Sequence, residues 1–153
     1  MTDTFERLGT KVVEHAPESE KDSAIREMLL RHAMSRRKWN HLWFVDYADE
    51  STKYFLESTV LVDPPPAVLE RLSGSGAAVF GVSQARRKDH GITDTSGKHG
   101  YVVHARITRW LDPETAEVEY GDYRDSEAAG GGEGVVRRID GEWVLQPGWI
   151  WCS

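Results

Sequence analysis

The sequence predicts an α+β fold in which N-terminal helices pack on a curved, mainly antiparallel sheet. Three observations carry this. Helical periodicity is confined to residues 1–40, strand-like alternation fills residues 41–153 apart from one short helix near 65–72, and the last strands are joined by turns short enough for a meander. A length of 153 residues fits a single domain, which buries about 70% of its unfolded surface.

In "DTFERLGTKVVEH", Phe5, Leu8 and Val12 share one helical face, so a first short helix is expected, weakened by Gly9 and ended by Pro17. The second helix is clearer. In "ESEKDSAIREMLLRHAMSRRK", Ser19 can cap the N-terminus, Glu20 and Asp22 occupy the first turn, and Ile25, Met28, Leu29 and His32 recur at helical spacing. "HLWFVDYA" reads as a strand. "STKYFLESTVLVD" fits either period, with strand favoured near its end, and "DPPPAVLERLSGSG" holds a helix of one to two turns with proline at its start and Gly74 beyond its end. A further strand follows at "AAVFGVS".

"YVVHARITRWL" and "AEVEYGDY" flank "DPET", whose Asp-Pro start suits a type I turn, so the two form a hairpin. If Leu111 faces Ala116, period-2 alternation places Val103, Ala105, Ile107 and Leu111 on the core face with Ala116, Val118 and Tyr120. The other face then carries His104, Arg106, Thr108 and Trp110 near Glu117, Glu119 and Tyr123, where opposite charges meet across the strands.

The most motif-like stretch is "AAGGGEGVVRRIDGEWVL", residues 128–145. A phosphate-cradling glycine loop leads from a strand into a helix, but "GGGEG" leads into β-branched residues. Gly130 to Gly134 are therefore expected to form a loop or bulge. The Asp-Gly pair that follows is a two-residue hairpin signal, and it sets Arg138 opposite Trp143 for a cation–π contact.

Other catalytic patterns are weaker. "GVSQA" lacks the last glycine of a nucleophile elbow. Asp89, His90, Asp94 and His99 share one loop, yet such residues are also what a long loop needs for its turns, so no metal site and no cofactor are expected. Cys152, the single cysteine, excludes an internal disulfide and has no matched base. The six tryptophans are expected in the core, with Trp149 and Trp151 on one face of a final strand that packs over the domain, the alternative being that they help form a pocket wall or an interface.

A formal charge of -6 argues against nucleic acid as a partner, and the basic cluster "RHAMSRRKW" is what a helix C-terminus attracts. No apolar run is long enough for a membrane span, and "MTDTFERLGT" lacks the features of a signal peptide, so a cytoplasmic protein without membrane contact is expected.

Helices first, then a meander with "VEYGDY", a small-residue loop and "RRIDGEWVL", resembles the small bacterial α+β domains of the cystatin-like and NTF2-like kind. That resemblance implies a cavity between helix and sheet and supplies no subfamily motif to assign catalytic residues. Two functional readings follow. In the first, the chain is a non-catalytic soluble binding domain, of an immunity or accessory type, that meets a protein partner through His104, Arg106, Trp110 and Tyr123, with a homodimer through the open sheet as a further expectation. In the second, it is a small-molecule carrier or enzyme in which His32, His104 or Asp122 acts as general base.

Overall fold

The structure, a computed structural model, describes residues 6–8, 11–37, 42–50, 60–74, 78–88, 91–125 and 128–152. Two helices and a set of strands form an α+β fold. In chain order the elements are β1 (Glu6–Arg7), β2 (Lys11–Glu14), α1 (Glu20–Ser35), β3 (Leu42–Asp46), β4 (Val60–Asp63), α2 (Pro66–Ser73) and β5 (Ala78–Gly81). There follow a 3-10 turn (Val82–Gln84), β6 (Arg86–Lys88), β7 (Gly91–Thr93), β8 (Gly100–Asp112), β9 (Thr115–Asp125), β10 (Ala128–Ile139) and β11 (Glu142–Cys152).

The central sheet has six strands in the order β11-β10-β9-β8-β3-β5 and is not closed. It is mixed, which corrects the expectation of a mainly antiparallel sheet. Strands β8 to β11 form the antiparallel meander, whereas β3 runs parallel to both β5 and β8. All five β3 residues are buried, as a parallel strand covered on both faces requires.

The described residues of the expected first helix are not helical. Among the described residues of that stretch, β1 pairs antiparallel with β6, and β2 pairs parallel with β4. Backbone partners some 50 to 80 residues downstream thus override a weak local helical period. The second helix forms as its sequence dictates, with the Ser19 hydroxyl accepting from the Asp22 amide at 3.1 Å.

Helix α1 lies across β8 and β9 and closes the first core, where Ile25, Leu29, Leu30, Ala33 and Met34 meet Trp43, Tyr101, Val103, Ala105, Val118 and Tyr120. A second core forms on the opposite face. There Leu42, Phe44 and Val102 are covered by Leu8, Leu61, Val82, Ala85 and Ile92. Among the described residues this cover reaches β3, β8 and the Tyr123 end of β9, and leaves the rest of the meander's outer face open.

The glycine stretch is strand, not loop. Gly130, Gly131 and Gly132 are paired on both sides, to β9 and to β11, and the expected irregularity survives only as a bulge between Gly132 and Gly134. Sequence propensity misleads here because the missing side chains are replaced by neighbours' rings. A Cβ on Gly131 would stand 2.6 Å from the Tyr120 carbonyl oxygen and 3.2 Å from the Trp151 ring, and one on Gly132 would stand 2.6 Å from the Tyr120 hydroxyl. Gly131→Ala is therefore expected to destabilise by about 1–3 kcal/mol, because a backbone carbonyl must move. Urea denaturation would measure it, and an unchanged midpoint would refute the packing account.

Candidate functional site

Bulges decide which side chains share a face. In the β8–β9 hairpin, Ala105 faces Tyr120 and Ile107 faces Val118, but a register shift between Ile107 and Arg109 then sets Trp110 opposite Ala116. The extra residue reverses the alternation. Trp110 joins the helix side, where it packs on the first core, sits 6.0 Å from Trp143 edge to face, and carries the Lys21 ammonium 4.1 Å above its ring. Leu111, expected in the core, is exposed. Trp110 is thereby removed from the expected partner face.

His104, Arg106 and Tyr123 do share the outer face. Tyr123 lies against the second core beside Val102, and Arg106 is buried and donates from Nε to the Glu119 carboxylate at 2.8 Å. His104 is half-buried, and its Nδ1 is enclosed without a partner among the described residues. Burial, with a smaller push from the Arg106 charge, lowers its pKa to about 3, so the ring is neutral. The ring lies over Gly121, where a Cβ would stand 3.0 Å from Cε1.

The other proposed general bases lie on the opposite face. Asp122 is buried and held by two donors of Arg37, Nε at 3.1 Å and NH2 at 2.9 Å, and the bond to this carboxylate raises the Arg37 pKa. His32, on α1, meets the Tyr120 ring edge to face at 5.0 Å, and burial followed by the Arg36 charge lowers its pKa. The sheet thus separates His104 from both.

In the suspected metal loop, Asp89 and His90 lie outside the described residues. The Asp94 carboxylate accepts from the Ser96 and Lys98 amides and from the Ser96 hydroxyl at 2.7 to 3.0 Å, which closes a turn and lowers its pKa.

What sequence reasoning missed is at the far side of the outer face. Gly121 pairs with Gly131, and Gly131 with Trp151, so a floor of two glycines lies between the rings of His104 and Trp151. The next row runs Arg106, Glu119, Glu133, and ends at the Gly148–Trp149 bulge of β11. An open groove of about 490 Å³ follows this row, lined by Thr108, Glu117, Glu119, Glu133, Gly148 and Trp149 together with backbone and Val135.

The groove lining holds three carboxylates and no cation. Glu117 and Glu119 are each paired, with Arg109 and Arg106 at 2.8 Å. Glu133 is exposed and has no ion pair among the described residues. Trp149 is 66% exposed and Trp151 39%. They share one face as the alternation predicts, but among the described residues no element packs over them.

No protein-family model matches this chain, and no curated protein or solved structure matches it significantly. Among the described residues, no helix is long and apolar enough to cross a membrane.

Proposed function

We propose that this chain is a non-catalytic binding domain, of the immunity or accessory type, that holds a basic segment of a protein partner in the groove on the outer sheet face. One observation carries the reading: a strongly exposed tryptophan lines the same groove as Glu133, a carboxylate with no ion pair among the described residues. A guanidinium or ammonium placed there gains the ring quadrupole of Trp149 and the charge of the exposed Glu133 carboxylate. The formal charge of -6 adds long-range attraction that speeds encounter with a cationic partner. Phosphate-bearing ligands meet the opposite field.

Blocked peptides of equal length, rich in arginine or in glutamate, test this by titration against tryptophan fluorescence. The arginine peptide is expected to bind and the glutamate peptide to remain unbound. Trp149→Ala should weaken the arginine peptide by about three- to tenfold, the worth of one cation–π contact. Glu133→Lys should weaken it further and flatten the salt dependence. Equal binding of both peptides, or no loss in either variant, would overturn the assignment.

A further inference from the structure

We infer that the basic segment binds as an added strand along the free edge of β11, an inference that rests on the groove reading above. Strand β11 ends the sheet order and pairs only with β10 among the described residues. Natural edge strands are kept from pairing by charges, prolines, bulges or shortness. The opposite edge, β5, is four residues long and runs straight into a 3-10 turn. By contrast β11 has eleven residues, and its final stretch Gly148–Cys152 has neither charge nor proline, the Gly148–Trp149 bulge standing at its start and Ile150–Cys152 pairing regularly with β10.

Side-chain placement then specifies the occupant. Trp149 and Trp151 point to the outer face with the groove, while Ile150, opposite Gly132, points to the helix side, where Leu145 already packs on the first core. All three residues from Trp149 to Trp151 are exposed. A strand added about 4.8 Å from β11 alternates in the same way, so its outer residues lie beside the two tryptophans and its inner ones beside Ile150. Gly148 leaves the outer wall of the groove without a side chain, so a long cationic residue can reach across it towards Glu133. The occupant is therefore a segment alternating basic and β-branched apolar residues. A second copy of this chain would instead set its own uncharged, tryptophan-bearing edge against this one and leave Glu133 unanswered.

The test uses the full chain and a ten-residue blocked peptide alternating arginine and valine. Two further peptides carry N-methyl groups on all the arginines or on all the valines; each retains every charge but blocks one edge of the strand. The parent peptide is expected to protect alternate amides of Gly148–Cys152 from hydrogen exchange. One methylated peptide should bind about tenfold or more weakly and the other nearly as well as the parent, because only one edge faces β11. If both methylated peptides bind like the parent while Trp149→Ala still weakens all of them, the groove reading stands and strand addition falls. Failure of every peptide to bind overturns both. A dimer in light scattering that dissociates with Ile150→Lys, without peptide, overturns the choice of occupant.

Discussion

Arg26→Met will lower the unfolding free energy by about 3–5 kcal/mol, as removal of one member of a buried ionic cluster does. Arg26 is 2% exposed on α1. Its guanidinium donates to the backbone oxygens of Ala105, Tyr47 and Ala48 at 2.9 to 3.2 Å, lies 4.0 Å from the Tyr47 ring, and pairs with Glu18 at 3.4 Å. The Tyr47 hydroxyl donates to the same Glu18, and burial, then that bond, raises the tyrosine pKa. One side chain therefore ties the chain before α1 to the end of β3 and to β8. Methionine fills the volume but takes a donor from three carbonyls and leaves a largely buried carboxylate with the Tyr47 hydroxyl in place of its cation. The exposed Asp49, 3.0 Å from the guanidinium, contributes little by comparison. With a urea slope of about 2 kcal/mol/M the midpoint should fall by roughly 2 M. A loss below about 1 kcal/mol would show that the cluster is dispensable.

Acid will act through His104. Its native pKa is about 3 against 6.5 for the ordinary imidazole, so between these values the unfolded chain takes up a proton that the native ring refuses. The sign follows: this contribution is intact above pH 6.5 and is lost progressively as the pH falls towards 3. Full linkage between pH 7 and 4 would reach about 3–4 kcal/mol, and partial exposure of the ring reduces it to about 2–3 kcal/mol. In His104→Leu the loss between pH 7 and 4 should be smaller than in the parent by that amount. Parallel stability profiles for the two proteins would contradict it.

Much of the fold was legible where the signal is local. The Ser19 cap, the helix in "PAVLERLS" and the Asp-Gly turn all stand, with Asp140 and Gly141 at φ 52° and 82° and Arg138 opposite Trp143, their charge and ring 5.9 Å apart. What escaped depends on distant partners. Nothing near Leu42–Asp46 announces that β3 inserts in parallel between β5 and β8, and nothing near Glu6 announces β6. The candidate face was half visible. Alternation correctly joins His104, Arg106 and Tyr123, but one bulged residue sends Trp110 to the helix side, and Glu133 was hidden in a glycine run that reads as a loop. Alternation gives which residues share a face, whereas exposure depends on which layers happen to stop short.

The parallel insertion of β3 has a consequence for synthesis. Its flanking strand β8 begins at Gly100, so 53 residues separate the end of β3 at Asp46 from its partner. At about 5–20 residues per second the ribosome needs roughly 3–10 s to add them. Throughout that interval the wholly apolar run Leu42–Val45 has no partner on that edge, and even pairing with β5 must wait for Ala78. A nascent chain is thus at its stickiest between the emergence of β3 and that of β8, and the meander that β8 opens is what ends the exposure.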